Sequence, residues 1–179
     1  MSRVLLIAAA ISLCTVHASF AEVTSVGQQG FISEHVLTLH GSPTRAYQAL
    51  TAGIHLWWDA DHSYSGKAGN FSLAARAGGC FCEKLDNGGS VEHMRVVFAQ
   101  PAKTLRLIGG LGPLQEMGAS GAMTFSLTKS DDDTTELYYR YAVSGFSTSG
   151  WNEMAKAVDQ VQLGQLLRLQ NYLATEKTN

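Results

Sequence analysis

The stretch GGCFCEKLDNGGSVEHMRV, from Gly78 to Val96, gathers the residues of this chain best suited to chemistry. Cys80 and Cys82 stand one residue apart, Glu83 follows at once, and His93 and Arg95 return after a glycine-rich turn. A carboxylate beside an imidazole in apolar surroundings has the parts of a general acid/base pair, because burial and mutual charge move both proton affinities. Two cysteines at i and i+2 on a strand point to one face. They admit three chemistries. Buried free thiols are the ordinary state of an unpaired cysteine. A bridge is harder, since a regular strand holds the two Cα atoms near the upper limit for one. Metal ligation would need more, because CxC lacks the CxxC spacing of structural zinc sites. Free thiols are favoured, and no metal or cofactor is expected.

Whether Glu83 and His93 meet depends on hairpin register. A two-residue turn at Asn87-Gly88 places His93 opposite Cys82. A three-residue loop, Asn87-Gly88-Gly89 with a glycine bulge, places Glu83 opposite His93, Lys84 opposite Glu92 and Leu85 opposite Val91. The second register is favoured, because it pairs opposite charges outside and collects Phe81, Leu85, Val91 and Val97 on one face. Glu83, His93 and Arg95 then share that largely apolar face, with Glu83 and His93 as candidate base and acid. The plainer alternative is an internal pair that only satisfies two buried polar groups.

The elements that must position these residues are legible in outline. FISEHVLTL, Phe31 to Leu39, reads as a first strand by alternation and β-branching. SPTRAYQALTAG follows as a short helix, with Ser42 as N-cap and Pro43 at the first helical position. IHLWWDADHSYSG has too many aromatics and turn formers for a regular element and is expected to form a bent helical turn leading into a short strand. From Asn70 to Phe146 a run of about six strands is punctuated by turn chemistry at Asp86–Gly89, Gln100–Lys103 and Ser130–Asp133. Ile108 to Gly118 contains GGLG but no GxGxxG fingerprint, so it reads as a strand end and loop and not as a phosphate cradle. Met154, Val158, Val161, Gln165, Leu169 and Tyr172, widened by Leu166 and Leu173, recur at helical spacing in one long C-terminal helix. A curved antiparallel sheet must cover its concave face, and only that helix is long enough.

The segments SPTRAYQALTAGIHLWW, GGCFCEKLDNGGSVEHMRVVFAQPAKTLRL and VDQVQLGQLLRLQNYL resemble the START-like superfamily (SRPBCC, Bet v 1-like). They look closest to its branch of Hsp90-ATPase-activator homologues and polyketide cyclase-like proteins. The resemblance implies an α+β helix-grip fold, a sheet of about six to seven strands wrapped around the C-terminal helix, with a deep cavity between them. It implies a small apolar or amphipathic ligand, and it places Trp57, Trp58, His62 and Tyr64 near the cavity mouth. Phe81, Arg95 and Arg106 complete the candidate ligand contacts. One of the adjacent tryptophans should line the cavity while the other packs beneath a loop. A binding protein is therefore expected first, a cyclase-, lyase- or hydrolase-like cavity enzyme second, and an envelope interaction module third.

The chain opens MSRVLLIAAAISLCTVHASFAEV: one arginine, an apolar run from Val4 to Val16, then small residues at Ser19 and Ala21. This is the pattern of a bacterial-type secretory signal peptide over residues 1–21, with a single domain from 22 to 179 and a periplasmic or secreted location. The run is shorter than the roughly 20 residues of a membrane span. An exported chain would meet neither cytosolic Hsp90 nor ATP, which sets the co-chaperone role aside. Without Arg3 the 13 Lys and Arg become 12, against 15 Asp and Glu, a net charge near -3. With no basic block, a nucleic-acid partner lacks electrostatic support, and a monomer is favoured. Edman sequencing of the exported protein should read from Glu22; an intact Met1 would remove the signal peptide and the oxidising compartment together.

Overall fold

The computed structural model describes residues 23–131 and 133–175. The segment read as a signal peptide lies outside them. Eight strands form one antiparallel sheet: β1 (Val23–Gly27), β2 (Gly30–His40), β3 (Phe71–Leu73), β4 (Cys80–Lys84), β5 (Ser90–Gln100), β6 (Thr104–Gly109), β7 (Ser120–Lys129) and β8 (Thr134–Ser144). Their spatial order is β1-β2-β8-β7-β6-β5-β4-β3. Every consecutive pair except β2 to β3 is a hairpin neighbour, and β2 pairs instead with β8 over its full length, from Gly30↔Ser144 to His40↔Thr134. The long connection between β2 and β3 carries α1 (Pro43–Leu50) and α2 (Ile54–Trp57). A short α3 (Pro113–Glu116) interrupts the expected loop between β6 and β7, and α4 (Asn152–Thr175) closes the fold. This is the helix-grip α+β architecture, with a curved sheet around the last helix. No helix among the described residues is long and apolar enough to cross a membrane.

Local chemistry explains the boundaries. Ser42 caps α1 by accepting from the Arg45 amide, and Pro43 occupies the first turn, where its missing N–H costs nothing. β2 buries Phe31, Ser33, His35, Leu37 and Leu39, a strict period-2 pattern. The inner faces of β6, β7 and β8 contribute Leu105, Leu107, Met123, Phe125, Leu137, Tyr139 and Tyr141 to one continuous core.

The face that α4 buries differs from the apolar stripe expected of it. Leu166, Leu169 and Leu173 are buried, but in the N-terminal half the buried positions are Ala155, Asp159, Gln162 and Gln165. Met154 and Val158 are only partly buried beside the core. The helix is rotated so that polar side chains meet the sheet. Asp159 Oδ1 accepts from Ser33 Oγ at 2.6 Å and lies 3.0 Å from His35 Nε2, and Tyr139 Oη donates to Gln162 Oε1 at 3.0 Å. Gln165 Oε1 accepts from the Asp59 amide at 2.9 Å. Near the other end, Gln170 Nε2 donates to the Thr38 carbonyl and Arg45 donates to the Leu173 carbonyl.

The apolar C-terminal half of α4 therefore supplies the hydrophobic grip. Leu169 is fully buried, so Leu169→Ala should destabilise the domain by roughly 2–5 kcal/mol in chemical denaturation. A truncation before Val158 that still unfolded cooperatively at an unchanged midpoint would show that the helix is not the cover of the sheet.

Candidate functional site

The β4–β5 hairpin brings Glu83 and His93 together by a route that the sequence does not display. The loop is three residues long, as expected, but it is Asp86-Asn87-Gly88, one residue earlier than Asn87-Gly88-Gly89. The Leu85 amide donates to the Gly89 carbonyl at 2.9 Å and closes it. Asn87 (φ 60°) and Gly88 (φ 81°) take the left-handed conformation that these two residue types tolerate best. Glu83 then pairs with Val91 and Cys82 with Glu92, so neither anticipated register forms beside the loop. Beyond Glu92 the register shifts by one residue, and Phe81 pairs with Met94 and Cys80 with Arg95. His93 is the extra residue of this β-bulge, and the bulge turns two consecutive side chains, His93 and Met94, inward. His93 Nε2 thereby reaches Glu83 Oε2 at 2.9 Å.

The same bulge corrects two other expectations. Arg95 lies on the outer face, exposed, where it pairs with Glu92 and donates to the Gly78 carbonyl. By the same alternation Val97 is exposed instead of in the core, and a second shift between Val96 and Phe98 leaves Phe98 exposed beside it. Arg106 is also on the outer face, bonded to Thr124 and set over the Phe98 ring. The cysteines are not free thiols. They form a disulfide, with Cα atoms 5.3 Å apart, well inside the range a bridge needs. The strand is contracted between them, where a regular strand would span about 6.6 Å.

Glu83 is 1 % exposed and His93 5 %. Both oxygens of Glu83 are engaged: Oε1 accepts from the Ser65 amide at 2.6 Å, and Oε2 accepts from the Tyr64 amide at 3.1 Å and from His93. Burial pushes the Glu83 carboxyl up, but the hydrogen bonds from Ser65, Tyr64 and His93 outweigh it and hold it below the usual carboxylate range. Burial pushes the His93 imidazole below its ordinary value, against the opposing pull of Glu83. At neutral pH the pair is a carboxylate and a neutral imidazole. The carboxylate claims the proton on Nε2, so Nδ1 carries the lone pair.

His93 lines a pocket of about 440 Å³ between the first half of α4, the α3 loop and the segment 61–64. Trp58, Leu111, Pro113, Met154, Val158 and Val161 make its walls chiefly apolar. Rings crowd the imidazole: Phe81 at 5.2 Å, Phe71 at 5.3 Å and Tyr64 at 5.8 Å between centroids. Trp58 and Tyr64 line the pocket, and so does His62, whose Nδ1 sits 3.7 Å from Asp59. Trp57 packs beneath, with Nε1 donating to the Ala49 carbonyl, and Phe81 belongs to the aromatic floor. Glu83 stands behind His93 and does not line the pocket, which leaves it to orient the imidazole and to anchor the loop at Tyr64-Ser65.

Sequence reasoning missed Gln162. It is buried, lines the pocket, and its oxygen is held by Tyr139, whose phenol burial pushes well up and so keeps as a donor. The Gln162 amide nitrogen has no hydrogen-bond partner among the described residues. A polar residue every third position, Asp159, Gln162 and Gln165, was the available signal. Ser33, His35 and Asp159 have the residue types of a nucleophilic triad, but the carboxylate accepts from the hydroxyl directly and all three are buried. They fasten the helix to the sheet.

No protein-family model and no curated protein matches the chain. Solved structures do. Protein MLL2253 from Mesorhizobium loti is 21 % identical with a TM-score of 0.54, covering 81 % of this chain and 99 % of its own. The Aha1 dimer from Colwellia psychrerythraea is 24 % identical with a TM-score of 0.54, covering 82 % and 98 %. CalU16 from Micromonospora echinospora is 13 % identical with a TM-score of 0.54, covering 83 % and 78 %. At these identities the likeness establishes the helix-grip fold, shared by proteins of different kinds.

Proposed function

We propose that the protein binds a small apolar or amphipathic molecule in the pocket between α4 and the sheet, and does so after export. The observation that carries this reading is a neutral, carboxylate-oriented imidazole at the wall of a mainly apolar pocket of about 440 Å³. Pockets of about 300–1,000 Å³ with few, placed polar groups suit small ligands. The apolar body of the ligand rests against Trp58, Val158 and Val161. Its hydroxyl or N–H donates to His93 Nδ1, and a carbonyl accepts from the Gln162 amide. A carboxylic acid fits less well, since Asp61 and Glu116 also line the pocket.

A catalytic reading is favoured by the same pair. A buried imidazole held by a carboxylate can take a proton from a ligand carbon or hydroxyl, with Glu83 stabilising the imidazolium that forms. Glu83 itself is the orienting partner in this reading, because its oxygens already accept three hydrogen bonds.

Native mass spectrometry of the protein isolated from its own source should reveal a co-purified molecule with an apolar body and a hydroxyl or carbonyl group. His93→Gln should weaken binding of that molecule by roughly tenfold, the effect of losing one hydrogen bond of about 1.4 kcal/mol. Unchanged affinity, or a pocket that is always empty, would defeat the proposal.

Acid should weaken both binding and folding. Glu83 and His93 are each depressed in the folded state, so the unfolded chain binds more protons. The stability they contribute is complete above the ordinary histidine value of about 6.5. It is lost as pH falls, first through the folded value of His93 and then through that of Glu83. Thermal unfolding from pH 7.5 to pH 4 should show a steadily falling midpoint, and His93→Gln should flatten the upper part of that decline. An NMR titration midpoint for His93 above the ordinary value would contradict the neutral imidazole.

A further inference from the structure

The outer face of the β4–β5 hairpin carries a second group of reactive side chains, away from the pocket. Cys80 and Cys82 project there, half-buried and joined by their disulfide. The bridge spans one residue of a strand already paired with β3 on one side and β5 on the other. So small a ring removes little freedom from the unfolded chain, because the effect grows with loop length. The bridge ties together nothing that the ladder does not already hold, which makes a structural staple a poor account of it.

Its neighbours are charged. The Cα partners of Cys82 and Cys80 across β5 are Glu92 and Arg95. A Glu92 carboxylate oxygen lies within 4.8 Å of both sulfurs. Arg95 spans from that carboxylate to the carbonyl of Gly78, two residues before Cys80. The carboxylate disfavours thiolate at both sulfurs, and Arg95 offsets it by pairing with that carboxylate across from Cys80. This matters because thiolate is the species that attacks and leaves in exchange.

We propose that Cys80–Cys82 is an exchange-active redox site, opened by a dithiol donor and closed again by a disulfide-bearing acceptor. A thiolate of the donor attacks the Cys82 sulfur, the Cys80–Cys82 bond breaks, and Cys80 leaves as a thiolate beside Arg95. The better-stabilised thiolate is the faster leaving group, which selects Cys82 as the sulfur attacked. The donor's second thiol gives up its proton and attacks its own sulfur in the mixed disulfide, releasing Cys82. The donor ends as a disulfide, having passed two electrons and two protons to the protein, which holds two thiols. Closure is the reverse, with the acceptor taking the two electrons and two protons.

The test uses the full exported chain, folded and without denaturant, in dithiothreitol redox buffers, with free thiols alkylated and counted by mass. Two alkylated cysteines should appear while circular dichroism stays native, and oxidised glutathione should restore the bridge. Arg95→Gln should slow the reduction by about threefold to tenfold through the poorer leaving group, an effect that a merely structural arginine would not produce. The reduced wild-type and variant proteins give an independent measure: by ultraviolet thiolate absorbance, Arg95→Gln should move thiolate formation to higher pH, because Glu92 then acts on the sulfurs unopposed. A bridge that resists dithiothreitol until the protein unfolds overturns the proposal. So do thiols that stay free under oxidised glutathione, or a thiolate titration that Arg95→Gln leaves unchanged. Stoichiometric zinc on the reduced protein would assign Cys80, Cys82 and Glu92 to metal binding instead.

Discussion

A single buried carboxylate organises the candidate site. Removing an ion such as Glu83 from water costs several kcal/mol. Three hydrogen bonds to it, from two backbone amides and one imidazole, return about 1.5–3 kcal/mol each. The hydrogen bonds outweigh the desolvation, since the carboxyl is held below its ordinary range, and they also fix the geometry. The segment around Tyr64-Ser65 is tied to the carboxylate by both of its amides, and its course sets the pocket wall formed by residues 61–64. The same ion decides which imidazole nitrogen keeps its proton. Loop position, imidazole orientation and tautomer thus follow from one side chain that does not itself reach the pocket.

The C-terminal helix divides its labour along its length. Leu166, Leu169 and Leu173 bury apolar surface and hold the helix to the fold, while Asp159, Gln162 and Gln165 spend the buried face of the preceding turns on hydrogen bonds. Polar groups in a core have directional requirements that leucines lack. They fix the helix in rotation and height against Ser33, His35 and Tyr139. The pocket opens along this less apolar half, lined by Met154, Val158 and Val161 beside the buried polar row. A helix gripping with leucine throughout would have closed that space. Part of the hydrophobic contact is given up where the pocket lies, and the polar pairs compensate.

Much of the fold was legible in the sequence because local signals agreed. Ser42-Pro43 marks the start of α1, TLRLIG spans β6 from Thr104 to Gly109, and the one long helical period marks α4. The first strand, β1, was not anticipated, and the strand run expected from Asn70 begins with only Phe71–Leu73 before Cys80. The Glu83–His93 contact was anticipated, but through a register that does not form. The loop lies one residue earlier than expected, which moves the pairing by two residues, and the unforeseen bulge restores one of them. Period-2 alternation carries no mark of an extra residue, so a bulge is invisible until both strands are laid side by side. The same blindness put Arg95 and Val97 on the inner face. Gln162 escaped notice for a different reason: it lies outside the expected apolar stripe, and only the rotation of α4 turns it inward to meet Tyr139.

The hairpin also explains why fold likeness says so little about chemistry here. Strand alternation lets β4 present Phe81 and Glu83 to the interior and Cys80 and Cys82 to the exterior, so neighbouring residues face separate environments. The contracted segment between the two cysteines lies directly across from the bulge that turns His93 inward, since the register shifts between Phe81 and Cys82. The two distortions add, because the contracted two-residue step of β4 faces three residue steps of β5, and the bulge at His93 takes up the surplus. The helix-grip frame tolerates them near its β3–β4 edge, where only one short strand remains to be paired. Proteins sharing the frame at 13 to 24 % identity need not share these distortions. The position of His93 and the Cys80–Cys82 bridge are thus properties of one hairpin's sequence, and the reactions open to this protein follow from that hairpin more than from the architecture around it.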